Sequence, residues 1–401
     1  MYPTFADLFK DLTGINLPFP FTLIQSFGLM VAISFLLAAW CLSKELKRKE
    51  QQGLLKTYTK RKLVGEAVKP FDLILSGVIG FIIGYKLLDI ALNFKECSAN
   101  AREFIFSSRG NFIGGLIGAA IAAYLKYREV NKQKLDKPEW VEETIHPYQI
   151  VGNTTIVAAI FGFLGSKLFD FLENPSEIKE FLNNPGANIF SGLTFYGGLI
   201  LAAFAVLYYT NKYGVPPIHM VDATAPSLML AYGVGRLGCQ LAGDGDWGID
   251  NINPKPGWMG FLPDSFWAYK YPHNVLSEGI PIPGCQGDHC MQLATPVYPT
   301  PLYEAIVGIA LFFLLWSLRK KIKAPGVMFS FYLVLNGIER FSIEQIRINT
   351  QYHIFGIGIT QAQIISPILF LLGIAGIIYF NRRYKLKNES SGNRSEGNSD
   401  S

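Results

Sequence analysis

Nine apolar stretches run through this chain, at 21–43, 72–92, 110–127, 150–172, 190–210, 222–242, 299–318, 326–346 and 357–380. A helix needs roughly 20 apolar residues to cross the hydrocarbon of a bilayer. In lipid, only helices and closed barrels satisfy all their own backbone groups. The pattern therefore predicts an all-α fold, a polytopic integral membrane protein of about nine transmembrane helices. Composition agrees, since 50% of the 401 residues are hydrophobic and only 17% are charged, against about a quarter in soluble proteins. One lysine, Lys10, precedes the first stretch. That is a poor start for a cleaved signal peptide, so the stretch is read as a retained helix.

The connections set an orientation. Lys44, Lys47, Arg48, Lys49, Lys56, Lys60, Arg61, Lys62 and Lys69 fall in the first, and Arg128, Lys132, Lys134 and Lys137 in the third. Lys212 lies in the fifth, and Arg319, Lys320, Lys321 and Lys323 in the seventh. Arg382, Arg383, Lys385 and Lys387 follow the last stretch. These are alternate connections, and basic residues stay on the cytoplasmic side. The N-terminus is then outside and the C-terminus cytoplasmic, with 93–109, 173–189, 243–298 and 347–356 outside. The net charge of +5 belongs to loop lysines. With no aromatic-interleaved basic groove, no nucleic acid partner is expected. The basic run 44–69 reads as a solvated loop near anionic lipid. Residues 1–387 read as one transmembrane domain, and 388–401, rich in Ser, Asn, Gly and Glu, as a disordered tail.

Two stretches echo each other. Gly84-Tyr-Lys-Leu-Leu-Asp89 resembles Gly165-Ser-Lys-Leu-Phe-Asp170, and Gly114-Gly-Leu-Ile-Gly118 resembles Gly197-Gly-Leu-Ile-Leu201. This reads as a two-helix unit in two copies, with 72–127 duplicating 150–210. Duplicated helices also occur in transporters, which keeps a lipid or solute transporter open as an alternative. Lys86 with Asp89, and Lys167 with Asp170, are spaced for ion pairs on one helix face.

The costly residues point to a site. Arg236 ends an apolar run and enters a Gly-rich segment, Gly233 to Gly248, that holds Asp244 and Asp246. An arginine in such a place faces a polar cavity or an anionic partner rather than lipid. Gly235 and Gly238 beside it allow close approach of a neighbouring helix or head group. Tyr196 and Gln240 lie at the outer ends of their stretches, as do Tyr303 and Glu304. Asn336, Arg340 and Glu344 repeat every fourth residue, one helical face, toward the outer end of theirs. Glu304, Glu339 and Glu344 are available counter-ions for the arginines, and Arg347 reads equally as an interface residue that snorkels. The arrangement fits a cavity open to the outer leaflet that holds an anionic lipid head group.

These residues resemble a known family. Tyr196-Gly-Gly-Leu199, Gly235-Arg-Leu-Gly238 with Gly243 and Trp247-Gly248, Pro299 to Glu304, Arg340-Phe-Ser-Ile-Glu344 and Thr360 to Ser366 occur in order. Over roughly 150–380 the chain is similar to the bacterial prolipoprotein diacylglyceryl transferases. Ile24 to Ala39 also looks like that family's opening helix. The resemblance implies transfer of the diacylglyceryl group of phosphatidylglycerol to the lipobox cysteine of a preprolipoprotein signal peptide, releasing glycerol 1-phosphate. It implies the bacterial cytoplasmic (inner) membrane as the location. It makes Arg236 and Arg340 the phosphate-binding pair, Glu304 and Glu344 their orienters, and Tyr196 a further catalytic position. Gly197, Gly198, Gly235, Gly238, Gln240, Asp244, Asp246, Tyr303 and Asn336 become the substrate-binding set. A planar guanidinium suits the charge that develops on a departing phosphate. No cofactor or metal is expected, since neither a phosphate-cradling Gly-Lys-Ser/Thr loop nor metal-ligand spacing occurs.

The chain departs from that family in three places. Tyr196 stands where the family has His, and a phenol with a pKa near 10 is a poor base. Cys239, with Gln240 beside it, stands where the family has Asn. The acidic position falls to either Asp244 or Asp246. A transferase with another acceptor is therefore a further alternative. Cys285 and Cys290 are spaced for a disulfide in the external loop, while Cys41 and Cys97 read as unpaired. His273 and His289 are candidate bases from the same loop.

Overall fold

The computed structural model describes residues 1–18, 21–94, 107–183, 192–349, 351–354 and 357–396. Cys97 and parts of the connections 93–109, 173–189 and 347–356 lie outside the described residues. The helices are α1 (Phe5–Thr13), α2 (Ser26–Gln51), α3 (Pro70–Leu92), α4 (Phe112–Lys132), α5 (Val151–Glu173), α6 (Pro175–Asn183), α7 (Phe195–Lys212), α8 (Pro217–Ala242), α9 (Thr300–Leu318), α10 (Val327–Glu344) and α11 (Gln361–Glu396). Among the described residues nine of them have 18 residues or more, and each overlaps one of the nine apolar stretches. Five are long and apolar enough to cross a membrane: α2, α3, α5, α9 and the Gln361–Glu389 part of α11. Two that fall short, α8 and α10, carry Asp222, Arg236, Glu339, Arg340 and Glu344. Ionisable side chains placed in a protein interior lower a helix's mean hydropathy and mark a polar site.

The fold is mostly helical, and among the described residues three two-stranded antiparallel ribbons accompany the helices. In one, β1 (Tyr58–Val64) pairs with β2 (Glu139–Ile145), where a solvated basic loop is expected. Arg61 Nε lies 3.0 Å from Glu142 Oε1, and Lys60 stands opposite Glu143. Opposite charges across a ladder and the aromatic and β-branched residues of Tyr58–Val64 favour a strand. The other ribbons pair Ile280–Pro281 with Met291–Gln292 and Gln351–Ile354 with Ile357–Thr360. Helix α2 runs to Gln51, eight residues past the expected end at 43. Helix α11 continues to Glu396, through most of the segment read as disordered. Extending a formed helix adds one bond per residue without a new nucleus.

The chain divides into two compact units. One holds Met1–Leu55 and Val215–Ser401, the other Lys56–Gly214. In the second, α3 packs on α4 and α5 on α7. Both hairpins close through the same glycines of the echoed motifs. A Cβ on Gly84 would strike the carbonyl of Gly114 and sit 2.9 Å from Gly118 Cα. A Cβ on Gly165 would strike the carbonyl of Gly197 and sit 2.7 Å from Leu201 Cβ. Lys167 pairs with Asp170 at 2.9 Å, while Lys86 reaches the carbonyls of Ser107 and Arg109.

In the first unit the core gathers Cys41, Ala225, Met229, Leu230, Val234, Phe312, Leu315 and Met328. Helices α8 and α9 meet where a Cβ on Gly308 would lie 3.0 Å from Gly233 Cα. Pro216 and Pro217 open α8, and Gly243, left-handed at φ 64°, closes it. Proline at the start and glycine just past the end is the usual helix asymmetry. That stop releases the chain into the turn that holds Asp244 and Asp246. Against the reading that places the costly residues at the outer ends, ionisable residues are not confined to one end of the helices. Asp222 and Lys49 are buried at the other.

Gly165→Ala is expected to lower the thermal midpoint in detergent, because the new methyl meets backbone; overpacking costs about 1–3 kcal/mol. Gly152→Ala in the same helix meets nothing within 4 Å and is expected to be neutral or stabilising. Equal midpoints for the two variants would contradict the close approach.

Candidate functional site

Glu304 is the centre of the polar cluster. It lies in the second turn of α9 (Thr300–Leu318), and it is fully buried, at 0% exposure. A carboxylate there requires partners. It has three guanidinium groups around it. Arg236 Nε lies 3.3 Å from Oε2, Arg340 Nη1 3.3 Å from Oε1, and Arg347 Nη1 3.1 Å from Oε1. Tyr232 Oη bridges Glu304 Oε1 at 2.9 Å and Glu339 Oε1 at 3.0 Å.

Helical spacing explains the convergence. Tyr232, Arg236 and Gln240 stand at every fourth residue of α8. The Arg236 guanidinium lies 5.4 Å from the Tyr232 ring centroid. On α10, Glu344 Oε2 holds Arg340 Nη2 at 2.9 Å from one turn away, and Asn349 donates to Glu344 Oε1 at 2.8 Å. Asn336 is half-buried one turn before Arg340.

The turn after α8 closes the cluster. Asp246 pairs with Arg236 through Oδ2 and with Arg347 through Oδ1. Thr300 Oγ1 donates to the Asp246 carbonyl at 2.7 Å. Gly248 and Arg347 form an isolated β-bridge, and Ile249 N donates to the Ile346 carbonyl at 2.9 Å. Of the two candidate acids, Asp246 is the one that engages the arginines. Asp244 instead accepts from the Asp246 amide at 3.4 Å and stands beside Cys239. Burial pushes the Asp244 carboxyl above its ordinary range. Arg347 does not snorkel. Its side chain is 8% exposed and ties the loop after α10 to the Asp246 turn.

Arg236 and Arg340 remain partly open, with side chains 19% and 24% exposed. Among the described residues no partner is recorded for Nη2 of Arg236 or Nε of Arg340. Gly235 borders open space, while Gly238 packs on Phe27 and Met30. Two expected site residues serve the 243–298 loop instead. Gln240 Oε1 accepts from Tyr271 Oη at 2.8 Å, and Tyr303 Oη donates to the Phe266 carbonyl at 2.6 Å. The loop has its own small core of Trp247, Tyr271 and Val297. Cys285 and Cys290 form a disulfide, and His273 Nδ1 is engaged with the His289 carbonyl at 2.8 Å. Tyr196, Gly197 and Gly198 belong to the other unit, where the two glycines pack against Phe169, Ser166 and the Gly162 and Gly165 carbonyls of α5.

One member of the cluster goes unrecognised in the sequence and two are read only in part. Tyr232 looks like one more aromatic in an apolar run, though its place four residues before Arg236 is a usable signal. Glu339 reads only as a spare counter-ion, and Arg347 sits beyond the helix.

The sequence profile of the prolipoprotein diacylglyceryl transferase family matches residues 134–379. A phosphatidylglycerol–prolipoprotein diacylglyceryl transferase of Leptospira interrogans is 27% identical over 322 residues, covering 69% of this chain and 90% of the relative. The enzyme of that name from Clostridium tetani is 30% identical over 225 residues, covering 55% and 77%. That of Streptococcus uberis is 27% identical over 270 residues, covering 67% and 89%. The match takes in the segments that build the arginine cluster, and the chain belongs to the prolipoprotein diacylglyceryl transferase family.

Proposed function

We propose that this protein transfers the diacylglyceryl group of phosphatidylglycerol to the lipobox cysteine thiol of preprolipoprotein signal peptides, releasing glycerol 1-phosphate. The observation that carries the reading is the pair Arg236 and Arg340, held by one buried Glu304, each with an uncommitted N–H. Guanidinium donors fixed in a low-dielectric site act on charge as it develops and need no reorganisation at that moment.

In the reaction a C–S bond forms at the glyceryl carbon as its C–O bond to phosphate breaks. The electron pair of the broken bond stays on the phosphate oxygen. The released group becomes a phosphate monoester, and overall the thiol proton ends on it. Arg236 and Arg340 hold the phosphate and stabilise the added negative charge. Glu304 and Glu344 fix the planes of the two guanidiniums, which keeps their remaining N–H groups aimed at one anion. Asp246 and Arg347 join the turn after α8 to the loop after α10. A phenol is poorly suited to take the thiol proton, which leaves Tyr196 without the role of a base.

The protein spans the bacterial cytoplasmic membrane nine times, with its N-terminus outside and the site toward the outer leaflet. Alternation of the basic connections supports this. So does the Cys285–Cys290 disulfide in the 243–298 connection, because disulfides persist in oxidising compartments.

With purified protein, phosphatidylglycerol vesicles and a lipobox peptide, thioether product is expected. Arg236→Gln and Arg340→Gln are each expected to slow its formation by about 10²-fold or more. A well-folded wild type that makes no thioether would hand the site to a different acceptor. For orientation, Ser277→Cys in intact cells is expected to react with a membrane-impermeant maleimide, and Lys323→Cys only after permeabilisation. The reverse pattern would invert the topology.

A further inference from the structure

A second polar site lies at the opposite ends of the same helices. A cavity of about 720 Å3 is bounded by the end of α2, the start of α8, the end of α9, the start of α10 and the far part of α11. Asp222, on its wall, precedes Arg236 by 14 residues on α8, about 21 Å at 1.5 Å per residue. The cavity is thus separate from the arginine cluster.

Its charge is one-sided. Seven Lys or Arg side chains line it against two carboxylates, Glu45 and Asp222, and both carboxylates are already engaged. Glu45 Oε2 takes Arg48 Nε at 2.9 Å and Arg319 Nε at 3.3 Å. Asp222 accepts the amides of Gly326 at 2.7 Å and Phe329 at 2.9 Å, which ties it to the start of α10. Lys49 is left over. It is only 6% exposed and lines the cavity, and among the described residues its ammonium makes no hydrogen bond or ion pair, with Asp222 and Glu45 acting on it only from longer range. His219 Nδ1, on the same wall, is buried without a hydrogen-bond partner. A buried ammonium without a partner is costly, and the cost falls when an anion arrives. The apolar part of the lining, Leu54, Ile218, Ile322, Met328 and Phe380, offers a surface that a bare phosphate would not use.

We infer that this cavity binds the phosphate group of an anionic phospholipid, with Lys49 as the buried contact and Lys323 and Arg383 at its sides. The lipid here is a bound structural ligand at a site distinct from that of the proposed donor. The phosphate chemistry alone would also suit a soluble phosphate, and the apolar wall decides for the lipid.

The test measures binding to full-length protein in neutral detergent by thermal shift. The probes are short-chain phosphatidic acid, short-chain phosphatidylcholine and inorganic phosphate. Phosphatidic acid is expected to raise the midpoint and phosphatidylcholine to leave it unchanged. Lys49→Met, which fills the same space without charge, is expected to weaken phosphatidic acid binding about tenfold, the loss of one charge-assisted contact. Lys323→Gln is expected to weaken it less, and serves if Lys49→Met does not elute as a folded species. An equal shift with inorganic phosphate would keep the anion site and reassign it to a soluble ligand. Binding that survives Lys49→Met and Lys323→Gln undiminished, or is lost in Arg340→Gln instead, would overturn the inference.

Discussion

The first unit is organised by one buried carboxylate. Glu304 has no exposure and lies against three guanidiniums drawn from α8, α10 and the loop beyond α10. A carboxylate in that place is tolerable only while the arginines stay, and each arginine is held by an acid. The cluster therefore over-determines the approach of these segments in a way apolar packing does not. Removing one member of such a group leaves its partners buried without compensation, which is worse than never having had them. The result is a stiff frame with two partly exposed arginines on it, which is what preorganised recognition of a phosphate demands.

The places of the long helices were legible in the sequence because hydropathy responds to the same burial that fixes them. Arg236, Arg340, Glu304 and Glu344 were legible because charge in an apolar run is expensive and must have a reason. Arg347 was not. It lies three residues past α10, where hydropathy carries no information, and only the Gly248–Arg347 bridge brings it in. Tyr232 was hidden for the opposite reason, since a phenol in an apolar helix looks like packing until its hydroxyl is seen between two carboxylates. Asp244 and Asp246 could not be separated by spacing, because a turn with Gly245 at φ 95° decides which one faces the arginines. Helix α1 escaped because nine amphipathic residues are too short and too polar to form an apolar run, although Phe5, Leu8, Phe9 and Leu12 recur at helical spacing and the Thr4–Asp7 capping box announces its start.

Gln240 and Tyr303 show a limit of reading function from position. Both lie within a turn of the arginine cluster, yet their polar groups hold the 243–298 connection through Tyr271 and Phe266. That connection is long for a loop, and its order rests on buried side chains such as Asn251, Tyr271 and Asn274. Asn274 takes the role of a backbone turn, donating to the carbonyls of Tyr271 and Glu278 and accepting the Glu278 amide at 2.9 Å. Composition alone does not distinguish such a segment from a flexible one.

The ribbon of Tyr58–Val64 with Glu139–Ile145 has a wider meaning. Its strands flank the α3–α4 hairpin in the chain, and Val64 stands directly opposite Glu139. The excursion between them therefore leaves and returns at one point, and its helices close on each other through their own glycines. The family match begins at residue 134, after that hairpin. A segment with joined ends and self-contained packing is an exchangeable module. Evolution can graft or excise it in one event, and a protein engineer can splice Val64 to Glu139 with a tight turn, without redesigning the arginine frame.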